Sequence, residues 1–314
     1  MGGDESQGEG GAIWSQLRAR SLNAGQGAAE NGDMMQRGKA AQKTRGVRPG
    51  SSAHRFADLL KGWRQKRRLS QLELGLDAGV SQRHVSFLES GRAQPSRSMI
   101  LQLCETLAVP LRERNDLLLA AGFAPQFAAR PLSDPLMTQV MSALRLMLKN
   151  HEPYPALAVD RAWNIRLANE SFERMTGLLG GDLWARIGGT SRNLMRLFFH
   201  PEGIRPMVTN WAAIAPLLWC RAEREAAAAG GEDMQAVLGE LRPFQDASVL
   251  RVAEDTPLLP VLPVNIAWQG VRISLFTVIA TFGTAQDVTA DELRIETLFP
   301  ADAETEALFR AMAG

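Results

Sequence analysis

Between Ser70 and Arg92 the chain reads SQLELGLDAGVSQRHVSFLESGR, a stretch with room for two short helices joined by a tight turn. Ser70 followed three residues later by Glu73 is a capping box: the serine hydroxyl accepts from the Glu73 amide, and the Glu73 carboxylate accepts from the Ser70 amide. Leu72 and Leu76, with the small Gly75 and Ala78, supply an apolar and closely approachable face. Gly79 then ends the helix, as the residue best able to take the left-handed conformation. Ser81 caps a second helix, expected over 82–90, which turns Val85 and Leu88 to one side. Gln82, Arg83 and Ser86, with His84 and Phe87, are left toward the outside. The two segments spell a helix-turn-helix.

The spacing of cap, glycine, apolar turn residue and second cap resembles the phage Cro and repressor (XRE-type) DNA-binding domains, with Gln71 and Gln82 opening the two helices. The resemblance covers roughly residues 56–122. It implies an all-α domain of five helices, over 56–69, the two above, 97–107 and 111–121, whose second short helix enters the major groove of double-stranded DNA. Gln71, Ser81, Gln82, Arg83, His84, Ser86 and Arg92 are the residues expected to meet the operator. Charge agrees with motif: residues 37–116 carry 16 basic and 7 acidic side chains, whereas 117–314 carry 17 and 22, so the net charge of +1 hides a basic segment on the motif. Each phosphate that such a segment neutralises releases condensed counterions. One motif reads few base pairs, so a homodimer on a palindromic operator is expected, with the helices near 111–121 and 133–150 as candidate interfaces.

At 314 residues and 45% hydrophobic content the chain suits a multidomain globular protein. Residues 1–50, rich in Gly, Gln, Ala and Ser, are expected to form a disordered tail. Within it Arg37, Lys39, Lys43, Arg45 and Arg48 make a solvated basic segment or a DNA-following arm. The DNA-binding domain is expected over 51–122 and a hinge-like linker over 123–135, where Pro125, Pro131 and Pro135 cluster. The second domain takes 136–314. No window approaches about 18 consecutive apolar residues, and the start MGGDESQGEGG is acidic where a signal peptide would be basic, so no membrane partner is expected and the sequence reads as cytoplasmic. Cys104 and Cys220 lack any C-x-x-C partner, which argues against a zinc site or a disulfide and for two buried fillers.

In the second domain Leu136, Met137, Val140, Met141, Leu144, Met147 and Leu148 recur at helical spacing, predicting an amphipathic helix over 133–150. The short apolar run 155–160 and the alternating Trp163, Ile165 and Leu167 predict a β-hairpin, followed at once by a helix from Glu170. Helices follow over 192–199, 204–229 with a break near Pro216, and 234–241. Strands return over 261–268 and 271–281 across Gln269-Gly270, then over 292–299, before a last helix over 303–312. The fold class is α+β, an antiparallel sheet with helices to one side. The phrases EPYPALAVDRAWNIRLAN, FFHPEGIRP, VTNW, TFGTAQDVT and ELRIETLFPAD resemble the ligand-binding domain of MmyB-like transcription regulators, across nearly all of residues 131–314. That resemblance implies a PAS-like domain able to bind a fatty acid or a similar lipid-like molecule.

Catalytic chemistry finds little support: there is no G-x-S-x-G elbow, no H-E-x-x-H pair and no phosphate loop, and no two of the four histidines have metal-ligand spacing. No catalytic residue, metal or other cofactor is expected. Candidate ligand contacts are Arg196, an anchor for an acid group or the partner of a surface carboxylate; His200, a contact or a helix cap; and Asn210 with Trp211. Phe276 and Phe282 join them, on a strand that is apolar on both faces, so that one set of side chains can form core and the other can line a cavity. The leading reading is a ligand-responsive transcription regulator. A protein-interaction factor of the antitoxin kind, and an enzyme with an attached DNA-binding module, stay open on sequence alone.

Overall fold

A computed structural model of the chain describes residues 50–180, 182–229, 231–250 and 260–313, and the expected N-terminal tail with its basic segment lies outside them. Five helices form first: α1 (Gly50–Lys66), α2 (Gln71–Asp77), α3 (Gln82–Glu89), α4 (Arg97–Thr106) and α5 (Leu111–Ala120). The capping box is present, with Ser70 Oγ accepting from Glu73 N at 3.1 Å and Glu73 accepting from Ser70 N at 2.7 Å. Gly79 ends α2 at φ +63°. A Cβ on Gly75 would lie 2.8 Å from the Val80 carbonyl oxygen, so the turn closes directly on that glycine. The expected apolar face of α2 needs correction: Leu72 and Leu76 are 50% and 72% exposed, while Leu74 is fully buried. Successive residues of a helix turn by about 100°, so Leu74 and Ala78 share one face and Leu72 and Leu76 the opposite one. Leu74 packs with Phe56, Leu60, Val85, Leu88 and Leu103 in the domain core. Leu117 and Leu118 join that core and Leu119 stays exposed.

The segment expected to be a hinge is tied down. Asn115 accepts from the Gln126 and Phe127 amides and donates to the Phe127 carbonyl. The Val288 amide donates to the Ala128 carbonyl at 2.8 Å, and Arg130 pairs with Asp287 at 2.9 Å. A 3-10 turn at Pro135–Met137 then precedes α6 (Thr138–Asn150), so the predicted helix over 133–150 begins later than its apolar pattern does.

The second domain is built on five antiparallel strands in the order β2-β1-β5-β4-β3, with β1 Ala156–Val159, β2 Ile165–Ala168, β3 Val264–Trp268, β4 Val271–Ala280 and β5 Arg294–Pro300. Gln269 and Gly270 both have positive φ, 47° and 84°, the pairing a two-residue hairpin between right-twisted strands favours. Between β2 and β3 run α7 (Glu170–Leu178), α8 (Leu183–Ile187), α9 (Leu194–Phe199), α10 (Trp211–Ala229) and α11 (Glu232–Leu241). Then α12 (Val288–Glu292) precedes β5, and α13 (Ala303–Ala313) follows it. The break expected near Pro216 does not form; α10 runs through it. Helices on one side only also proves wrong: α6 packs Leu144 and Leu148 on Ala156, Ala158 and Ile295, while residues from α7 to α11 cover the other face around Leu157, Ile273 and Leu275. Cys104 is buried and its thiol is pushed up to about 12, whereas Cys220 is half-buried.

Candidate functional site

All the predicted DNA contacts but Gln71 lie on α3 or directly beside it. Ser81, Gln82, Arg83 and Arg92 are exposed, and His84 and Ser86 are half-buried. Ser81 Oγ accepts from the His84 amide at 3.2 Å, fixing the start of the helix, and the Arg83 guanidinium lies 5.2 Å from the Phe87 ring centre. Gln71 is committed inward, donating to Glu89 Oε2 at 2.9 Å. Arg64 meets the same carboxylate through Nε at 2.6 Å and Nη2 at 2.8 Å. Burial alone would raise the Glu89 carboxyl, but the hydrogen bonds from Arg64 and Gln71 and the charges of Arg64 and Lys61 hold it below the usual range. Two arginines, Arg64 of α1 and Arg67 just after it, are therefore structural. Arg64 locks α1 to α3, and Arg67 donates to the Leu107 and Ala108 carbonyls at the end of α4.

The helix-covered face of the sheet borders a partly open cavity of about 140 Å³, walled by Trp163, Phe172, Met195, Phe198, Ile266 and Leu275 among others. Pairing register explains which strand residues reach it. Leu157 opposes Glu296, Glu296 opposes Ile279, Leu298 opposes Thr277, and residues directly opposite share a face. Glu296, Thr277 and Arg221 line the same cavity and bring polar groups to an otherwise apolar wall. Glu296 is only 4% exposed and its Oε1 has no hydrogen-bond partner. Burial pushes its carboxyl up to about 7, against Arg221 and Arg294, which favour the charge, and with Glu225, which opposes it. Nearby, Glu225 accepts from Arg221 Nε at 2.8 Å, Arg294 Nη1 at 2.5 Å and Trp163 Nε1 at 3.0 Å.

None of the six ligand contacts expected from sequence lines this cavity. Arg196 pairs with Glu240 at 2.6 Å. His200 follows α9 as its C-cap, and its Nδ1 accepts from the Glu202 amide. Asn210 donates to the Pro263 carbonyl and accepts from the Asn265 amide, so its half-buried amide is satisfied by backbone. Trp211 stacks on Phe198 at 5.2 Å and forms a second layer behind the wall. Phe276 lies on the opposite face, stacked on Phe299 at 5.6 Å, because the inward set of β4 is Ile273, Leu275 and Thr277. Phe282 falls beyond the end of β4 and packs near Leu144 and Leu148 of α6. The residues sequence reasoning missed, Glu296 and Arg221, carried one usable signal: Glu296 alternates with Leu298 on a strand that needs an inward face.

Comparison with known families finds two separate matches along the chain. Residues 60–114 match the family described as Helix-turn-helix, and residues 140–312, more than half of the chain, match the MmyB-like transcription regulator ligand binding domain. The chain belongs to the MmyB-like transcription regulators. Among solved structures it is similar to the PAS domain of BvgS from Bordetella pertussis, 14% identical, with a TM-score of 0.25 over 56% of this chain and 96% of that one. It is also similar to an RNA-binding light-oxygen-voltage receptor, again 14% identical at a TM-score of 0.25, over 98% of this chain and 69% of that one. No curated protein matches the chain.

In this MmyB-like regulator the DNA-binding and ligand-binding domains meet through charge. Glu292, at the end of α12, accepts from Arg112 Nε at 2.5 Å, from Arg112 Nη2 at 2.7 Å and from Arg161 Nη1 at 2.9 Å. Arg161 also reaches Glu113 at 3.3 Å, and Asp291 accepts from the Leu111 amide at the start of α5. Burial raises the Glu113 carboxyl, with Glu292 and Asp116 adding to the effect and Arg161 opposing it. Among the described residues no helix is long and apolar enough to cross a membrane.

Proposed function

We propose that this ligand-responsive, DNA-binding regulator takes an apolar, fatty-acid-like molecule into the cavity beneath Phe198 and Leu275, and that occupancy alters how its two α3 helices address DNA. The observation carrying this reading is the course of one strand. β5 holds Glu296 and Leu298 in the cavity wall, and four residues before Glu296 the chain presents Glu292 to Arg112 of the DNA-binding domain. A cavity of about 140 Å³ is close to the size that admits a benzene ring, so about six carbons fill it and a longer chain displaces the wall or extends through the opening. Each buried methylene contributes about 0.8 kcal/mol before ordering costs, and the displacement gives the ligand a reason to favour one arrangement over the other. Tight binding without that difference shifts nothing.

The same proposal places the regulator in the cytoplasm as a homodimer on a palindromic operator, since coupling two half-sites about 10–10.5 base pairs apart supplies the affinity that one α3 lacks. The test compares operator affinity of lipid-stripped protein with that of protein saturated with a medium-chain fatty acid. Equal affinities, with binding of the acid confirmed independently, leave a lipid-binding domain without control of DNA. Sedimentation that shows a monomer both free and on its best site removes the dimer.

A further inference from the structure

Glu296 is an oddity as a structural residue. It sits in the middle of β5, nearly inaccessible, with Oε1 unpartnered and its side chain in the wall of an apolar cavity. A buried acceptor left unmade is costly, and the fold gains no hydrogen bond from it. The charged groups around it are already committed. Arg221 and Glu225 from α10 and Arg294 from its own strand form one cluster, in which both guanidinium groups bind the Glu225 carboxylate at 2.8 and 2.5 Å. Counting Glu296 as ionised, that cluster is neutral: two cations and two anions. A ligand carboxylate would place a further anion beside an acceptor, and a ligand ammonium would meet Arg221. A neutral donor satisfies Oε1 and disturbs neither balance, and the Thr277 hydroxyl is a second polar group in the same wall.

We propose that Glu296 is the polar anchor of the ligand, and that the group it accepts from is a neutral hydrogen-bond donor, such as an alcohol hydroxyl, on an otherwise apolar molecule of about six carbons or with a six-carbon terminal part. This rests on the cavity being the ligand site and narrows its chemistry. An acid head group binds only with Glu296 protonated. Burial has raised that carboxyl to about 7, so affinity for an acid falls as pH rises past neutrality while affinity for an alcohol does not fall with it.

The experiment titrates the full-length protein with 1-hexanol and with hexanoate, by calorimetry at pH 6 and pH 8. The expected result is at least tenfold tighter binding of hexanol at pH 8, with the gap narrowing at pH 6. In Glu296→Gln, which keeps an acceptor, hexanol binding should stay within severalfold of wild type and the pH dependence of hexanoate should vanish. In Glu296→Leu the preference for hexanol should be lost, and a thermal melt of each variant checks the fold. Hexanoate binding as tightly as hexanol at pH 8 overturns the anchor and leaves the cavity reading intact, as does an undiminished preference in the Leu variant. Absence of binding by either probe overturns the cavity reading itself, and this inference with it.

Discussion

The two domains treat buried polar groups in opposite ways. In the DNA-binding domain the Glu89 carboxylate, its side chain 3% exposed, is met by three donors from two helices, Arg64 Nε and Nη2 and Gln71 Nε2. In the ligand-binding domain the deeply buried carboxyl, Glu296, has an oxygen with no partner. The contrast extends beyond one pair. The buried side-chain atoms without hydrogen bonds among the described residues are those of Arg174, Trp184, Arg192, Trp211, Trp219, Gln245 and Glu296, all in the second domain. Trp211 and Trp219 stand directly behind the cavity wall, in ring contact with Phe198 and Phe199. A DNA reader must present α3 in one fixed pose, and full satisfaction of its interior enforces that. A sensor must retain polar groups whose best partner arrives with the ligand.

The largest effect expected from breaking this contrast is on the satisfied side. Glu89→Ala strands Arg64 in a position only 12% exposed, and removing one partner of a buried pair costs about 3–5 kcal/mol. Denaturant unfolding should register a loss of that size, together with weaker operator binding as α3 loses its tie to α1. A loss below about 1 kcal/mol would mean that water reaches the pair and that the first domain is less closed than its geometry indicates.

The unsatisfied side should reveal itself through pH. The Glu296 carboxyl stands at about 7 in the folded protein against an ordinary value of 4.5, so the native state holds its proton more tightly than the unfolded chain does. Between pH 4.5 and 7 unfolding therefore releases a proton, and stability falls as pH rises; above 7 the loss is complete at ~3 kcal/mol. Glu296→Gln removes this slope. The stability difference between variant and wild type, measured at pH 5 and pH 8, should widen by that amount in favour of the variant. A constant difference would show a carboxyl that ionises normally.

What could be read from the sequence follows the same division. The first domain is written in local signals, since a cap, a glycine and a second cap lie within a dozen residues and their meaning needs no distant partner. Even there the helix phase misled: apolar character assigned Leu72 and Leu76 to a face that solvent takes. The cavity is assembled from distant pieces. Glu296 becomes a wall residue only because β5 pairs with β1 and β4 in one register, and a shift of one residue would have brought Phe299 inward in place of Leu298. Phe276 looked more like a ligand contact than Thr277 because size is visible in a sequence and register is not.

A smaller effect is expected at the DNA surface. Arg83 is exposed on α3, and if it pairs with guanine, Arg83→Ala should cost ~1–3 kcal/mol against the preferred site and relax the preference at that base. Arg92→Ala, in the loop after α3, should weaken all sequences alike and reduce the salt slope by about one. Binding measured on a panel of single-base variants separates the two patterns. An unchanged base preference in Arg83→Ala moves the reading role to Gln82 or Ser86.

The smallest change in stability, and the most direct question about how the two domains communicate, concerns Arg112. It is 45% exposed and Glu292 16% exposed, so their pair should contribute less than about 1 kcal/mol to folding. Arg112→Ala also leaves Glu292 held by Arg161, and Asp291 still accepts from the Leu111 amide, so the domains stay docked. What it removes is the bidentate link between α5 and the residue that leads into β5, the strand whose Glu296 faces the cavity. Coupling between sites typically amounts to 1–3 kcal/mol, and the link should carry a measurable part of it. The quantity to compare is the ratio of operator affinities with and without a saturating longer alcohol such as 1-decanol, in wild type and in Arg112→Ala. A ratio that shrinks toward one, with an unchanged melting profile, places the signal on β5. A ratio equal to wild type sends it through the other tie between the domains, where Asn115 grips residues 126 and 127 and Arg130 holds Asp287.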